Sequence, residues 1–310
     1  MIWRIFSWHP YNVFVKPIPY RGSFLRKLQA PNSTVVMRVK YLFFVACFFL
    51  LAQSSWSQHA KKNISMLVYT KNGKGYVHDN IPSAVEALKL LAQEQKINIT
   101  VSDDPSMFTE ENLKQYTLLV FPSTNNDIFD TDAQRLAFRR YIEAGGALVG
   151  LHSVTGTERN WKWFKMLIGC TFSWHAKFQS FSFQVLDRQH PSMKNVPLSW
   201  TREDECYFGK ELYPVTNVLM THRFTTLDSS QKELIQKNAG TYAEFYPAVW
   251  YNEFQGGRAW ISTIGHSKET YKDPVYKNHM LQGIKFVISQ SKGIDFNRSF
   301  SNHRDDQIKN

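Results

Sequence analysis

Cysteine is scarce, with Cys47, Cys170 and Cys206 the whole supply in 310 residues. No pair has the Cys-x-x-Cys spacing, which excludes a thiolate zinc site and a thioredoxin-like centre. The two cysteines beyond residue 57 could form one bridge, too few for a disulfide framework. Acidic residues are absent from positions 1–57, where seven of the 37 Lys and Arg fall. The rest of the chain therefore holds 30 basic against 26 acidic side chains. Most of the formal charge of +11 sits in the leading segment, and the case for a nucleic-acid binder goes with it.

An apolar run of the roughly 20 residues that spans a bilayer is also missing. Tyr41 to Ala52 is shorter, follows the basic Met37-Arg-Val-Lys40, and gives way to polar Gln53-Ser-Ser-Trp-Ser-Gln58. That order is a secretory signal peptide and not a stable membrane anchor. The chain is read as an upstream extension over 1–36, a signal peptide over 37–57, one domain over 58–291 and a loose polar tail over 292–310. The mature protein is expected to be secreted or periplasmic. Gly73-x-Gly75 is followed by His78 where a dinucleotide fingerprint needs a third glycine, and no Gly-Lys-Ser/Thr exists for a phosphate loop. No nicotinamide, flavin or nucleotide is expected.

What the chain does have is alternation of strand and helix. Ile64–Thr70, Ile97–Val101, Tyr116–Phe121 and Ala147–Leu151 are apolar runs of strand length. Between them, Ile81, Ala84, Val85, Leu88, Leu91 and Ala92 mark one helical stripe, with Pro82 in its first turn. Thr131-x-x-Gln134 is a capping box for a second helix, which Gly145-Gly146 stops. The pattern predicts an α/β fold: a doubly wound, mainly parallel, flavodoxin-like sheet flanked by helices. The second half is richer in strands, around 178–186, 217–221, 248–252 and 259–263. Asp273-Pro274 then opens a last helix bearing Met280, Leu281, Ile284, Val287 and Ile288.

Ligands collect at the carboxyl ends of strands in such sheets. Three histidines stand there: His78 after the first strand, His152 directly after the fourth, and His266 after Gly265. Each alone reads as an ordinary hydrogen-bonded residue; together they point to a site. Gly150-Leu-His-Ser153 occupies the place of a nucleophile elbow, but its middle residue is His152 and its second glycine is Val154, so amidotransferase cysteine chemistry is excluded there. Trp200-Thr-Arg-Glu-Asp-Glu205-Cys-Tyr207 sets carboxylates beside aromatic rings, which suits sugar recognition as well as a surface turn with solvated charges.

These residues resemble the ThuA-like family (trehalose-utilisation type), whose fold is similar to class I glutamine amidotransferases. The matching pieces are Lys74-Gly75-Tyr76-Val77-His78, Gly150-Leu151-His152, Leu167-Ile168-Gly169 with Phe172 and His175, His190-Pro191, Asp204-Glu205-x-Tyr207, Pro247-x-x-Trp250, and Gly257-Arg258 followed by Gly265-His266. They span roughly 61–290. Cys170 departs from the pattern, which usually has a second glycine there. The resemblance implies sugar catabolism, with isomerisation or epimerisation of a keto-glycoside next to its carbonyl. Such chemistry needs a base and something to hold the enediolate. His152, Glu205 and His78 are the expected catalytic groups, and Tyr76, Ser153, Trp174, Asp204 and Tyr207 the expected substrate contacts. One divalent metal is expected on a subset of His78, His152, His175 and His266. The expected partner is a small carbohydrate. The competing functions are a non-catalytic glycan binder and a carbohydrate hydrolase using Ser153, or Glu205 with a second acid.

Overall fold

The first apolar run forms β1 (Ser65–Tyr69). Met66 and Val68 enter one core while Leu67 and Tyr69 enter another. A strand covered on both faces needs apolar side chains at every position, which is why the run does not alternate. The computed structural model describes residues 63–309 apart from 290 and 292. The extension over 1–36 and the leader over 37–57 lie outside the described residues. Among the described residues no helix is long and apolar enough to cross a membrane.

In chain order follow α1 (Ile81–Gln95), β2 (Asn98–Ser102), α2 (Glu110–Leu113), β3 (Leu118–Pro122), α3 (Asp132–Glu143) and β4 (Ala147–Leu151). The Thr131 capping box is formed as the sequence predicts. After a 3-10 turn over His152–Gly156 come α4 (Lys162–Ile168), β5 (Thr171–His175), β6 (Gln179–Val185), β7 (Ser199–Asp204), β8 (Tyr207–Lys210) and β9 (Asn217–Arg223). The chain closes with α5 (Lys232–Ala239), β10 (Phe245–Phe254), β11 (Gly257–Ser262) and α6 (Pro274–Ile288).

The main sheet runs β2-β1-β3-β4-β11-β10-β9-β6-β7. Its first five strands are parallel, and every pair from β11 to β7 is antiparallel. β5 and β8 form a separate antiparallel ribbon. Residues of α1 and α6 pack into one core, and residues of α3 and α4 into the other. The fold is therefore α/β, a mixed sheet flanked by helices, with the parallel half ending in the histidine-bearing loops.

The sequence expectation of a loose tail is corrected. Arg139 and Glu143 of α3 form a fully buried ion pair, 3.0 Å apart. Arg139 donates to the carbonyls of Arg304 and Asp306, and Glu143 accepts from the backbone amides of Phe300 and Ser301. Buried charges need that company, and it fastens the terminal segment to the helix. Cys170 and Cys206 are buried and free, with no bridge between them.

Candidate active site

The strand ends deliver the histidines to one place. Ring centroids lie 4.7 Å apart for His78 and His152, 5.3 Å for His152 and His266, and 5.9 Å for His78 and His266. His78 and His266 border a cavity of about 420 Å³, also lined by Tyr76, Asn125, Arg159, Phe172, Glu205 and Tyr207, a size suited to a small ligand, while His152 is fully buried beside them. His152 sits at φ 51°, in the left-handed region that bulky residues avoid. Such strain persists only where the surroundings impose it, often at functional sites.

The turn carrying His266 is held from both sides. Asp204 accepts from the backbone amides of Gly265 and His266, and the Asn80 side chain donates to the carbonyls of the same two residues. Gly265 has φ 129°, and a Cβ there would meet the Tyr276 hydroxyl at 2.5 Å, so only glycine makes the turn. Asp204 is wholly buried, which pushes its carboxyl pKa up, while Arg202 and the backbone amides of His266, Glu205 and Gly265 act against that rise. The expected substrate contact at Asp204 is corrected: it is a backbone clamp beneath the site.

The hydrogen bonds fix the tautomers of two imidazoles. His152 Nδ1 lies 3.1 Å from the Thr263 carbonyl, so that nitrogen carries the proton. Ser153 Oγ donates to the Thr124 carbonyl, so it accepts from His78 Nδ1 at 3.1 Å. Both Nε2 lone pairs then face inward, 3.0 Å and 3.5 Å from the Tyr207 hydroxyl. His266 Nδ1 donates to Glu205 Oε2 at 3.0 Å and lies 3.4 Å from His152 Nε2. Two protons, from Tyr207 and His266, thus face three acceptors: His78 Nε2, His152 Nε2 and Glu205.

Protonation of His78 or His152 does not relieve this shortage. Burial, then the charge of His266, hold His78 at about 4. Burial and the neighbouring histidines push His152 well below its ordinary value. His266 moves the other way, raised by its hydrogen bond to Glu205. Burial and Glu205 keep Tyr207 protonated well above its usual range.

A nitrogen from each of His78, His152 and His266 and a Glu205 oxygen all lie within 4.8 Å of one another. Two imidazoles oriented by their outer nitrogens, a third beside them and one carboxylate are a donor set that suits zinc and similar divalent ions. His175 stands outside this group. Its Nδ1 faces the Ala176 carbonyl at 3.0 Å and Glu205 Oε1 at 3.3 Å, bracing the carboxylate.

Tyr76 reaches the rim, 61% exposed, with its ring 4.8 Å from that of His78. Trp174 is corrected: its ring stacks on Phe208 and packs against the core, away from the cavity. A bulge between Phe172 and Trp174 shifts the alternation, so Phe172 and His175 face the cavity instead. Asn125 and Arg159 were not expected from the sequence. The strand-end rule, applied to Pro122-Ser-Thr-Asn125 after β3, points to the first of them.

No curated protein matches the sequence. Among solved structures, the fold is similar to that of a ThuA-like protein from Bacteroides uniformis, at 24% identity over 78% of this chain and 99% of that one, with a TM-score of 0.61. It is also similar to a ThuA-like protein from Parabacteroides merdae, at 16% identity over 77% and 100% of the two chains, with a TM-score of 0.57. The ThuA family profile, described as trehalose utilisation, matches residues 65–287. The chain belongs to the ThuA family.

Proposed function

We propose that the protein moves a proton next to the carbonyl of a keto-glycoside, isomerising or epimerising it, with one divalent cation at the histidine cluster. The observation that carries this reading is the donor-poor group of His78, His152, His266 and Glu205. The family description, trehalose utilisation, supports a carbohydrate role. A bound cation would draw charge from the carbonyl oxygen and hold the enediolate. Glu205 or a histidine left free of the cation takes the α-proton, and the Tyr207 hydroxyl donates to the developing oxyanion. Delivery of the proton to the former carbonyl carbon, with the hydroxyl proton passing to the other oxygen, isomerises the sugar; protonation of the α-carbon from the opposite face by a second group, while the first keeps the proton it took, epimerises it.

The hydrolase readings fare worse on this geometry. The Ser153 hydroxyl is committed to Thr124 and is 4% exposed. Glu205 is the one carboxylate lining the cavity among the described residues, and a glycosidase needs two. The test is proton NMR of oxidised disaccharides in D₂O with the purified protein, metal-loaded and chelated. Deuterium should enter next to the ketone only with the loaded protein, alongside about one metal per chain. Full exchange by metal-free protein, or none in either state, would sink the reading.

We also infer from the leader over 37–57 that the mature protein works outside the cytoplasm. N-terminal sequencing of the protein from its native host should start near residue 58; an intact Met37 on a cytosolic protein would refute it.

A further inference from the structure

The cavity has a second pole. Arg159 lines it, half-buried, with Nε donating to the Gly156 carbonyl at 2.9 Å and Nη2 to Asn125 Oδ1 at 3.0 Å. The guanidinium lies over the Phe172 ring, 5.5 Å from its centroid. Those contacts fix its plane and use two of its five N–H groups, leaving three for a ligand. Among the described residues no carboxylate pairs with it.

The adjacent acid is unable to neutralise it. Glu158 is 2% exposed, ion-paired to Arg135, and accepts from the backbone amides of Ile128 and Phe129. Glu205, the other candidate, has both oxygens engaged by His266 and His175. The loop itself is built for the placement. Glu158 has φ 45° and Asn126 φ 59°, and a Cβ on Gly156 would come within 2.5 Å of Asn125 Oδ1 and 3.0 Å of the guanidinium. Asn125 also donates to the Tyr76 carbonyl, tying Arg159 to the rim. A rigid, half-desolvated, unpaired guanidinium is a receptor for a planar anion.

We infer that Arg159 binds a carboxylate carried by the sugar, so that the site takes an acidic glycoside of the uronic-acid type rather than a neutral one. This rests on the reading of the cavity as a sugar site. The rings of Phe172 and Tyr207 separate the two poles. One small ligand would set its reacting carbonyl at the histidines and its carboxylate at Arg159.

Calorimetric titration of the zinc-loaded protein with methyl glucuronides, the matching methyl glucosides and their 6-phosphates tests it, in wild type, Arg159→Gln and Arg159→Lys. The glucuronide should bind about tenfold to a hundredfold tighter than the glucoside, as a charge-assisted bidentate contact allows. That preference should vanish in Arg159→Gln and partly return in Arg159→Lys, with metal content and glucoside affinity unchanged. Equal binding of the two glycosides, a preference surviving in Arg159→Gln, or no binding of any glycoside would overturn it. Tighter binding of the 6-phosphate than of the glucuronide would overturn the carboxylate assignment. The titration reads binding alone, so failure of the proton-transfer reaction remains a separate result.

Discussion

Ser153 separates two chemistries at the residue scale. If its hydroxyl orients His78, as the bond to Thr124 implies, it is an outer support of the cation site. Removing such a support typically costs ten- to a hundredfold in metal affinity. Ser153→Ala is therefore expected to weaken zinc binding by about that factor while turnover persists at saturating zinc. A nucleophile would behave differently, because its loss abolishes turnover at any metal concentration; that outcome would restore the hydrolase reading. The residues legible in sequence were those fixed by backbone position. His78, His152 and His266 follow strands, so the strand-end rule reaches them. Arg159 was hidden, since its environment depends on Glu158 being claimed by Arg135 from another element. Trp174 was misplaced because one bulge moved Phe172 and His175 to the cavity side.

Elements announced themselves where local and tertiary signals agree. The continuous runs at β1, β3 and β4 are buried on both faces, and the Thr131 box starts α3 where it should. β7 leaves little signal in the sequence, because Ser199-Trp-Thr-Arg-Glu-Asp204 is mostly polar and closes the antiparallel end of the sheet. β5 and β8 pair only with each other, and short strands of that kind carry weak periodicity. The short helices α4 and α5 fall below the length at which a helical stripe is decisive. The tail misled through composition: its polar character suggested solvent, while its backbone groups were needed by Arg139 and Glu143. Asn80 shows the same competition in one residue. It precedes α1 in the capping position, yet its side chain leaves the helix uncapped and serves the His266 turn.

For the whole molecule, buried neutral histidines away from the cavity add their own share to the response to acid. His222 donates from Nε2 to the Tyr207 carbonyl, and burial holds its pKa at about 4. His279 is fully buried in α6 beside Ser262. Burial, aided by the charge of Arg202, holds it at about 3. In the unfolded chain both return to about 6.5. Above that pH both states are neutral and the fold keeps its full stability. As pH falls from 6.5 toward 4, the unfolded chain takes up two protons that the fold refuses, so stability drops at about 1.4 kcal/mol per unit for each group. By pH 5 the two together should remove about 4 kcal/mol, a large share of a typical net stability of roughly 5–15 kcal/mol. Urea unfolding at pH 7.5 and 5 should show a loss about 4 kcal/mol larger in wild type than in a His222→Phe, His279→Phe double variant, the cavity histidines contributing equally to both. The histidines at the cavity stay intact in that variant, so it isolates the two core residues from any bound cation. Parallel pH dependence in the two proteins would show that acid acts elsewhere.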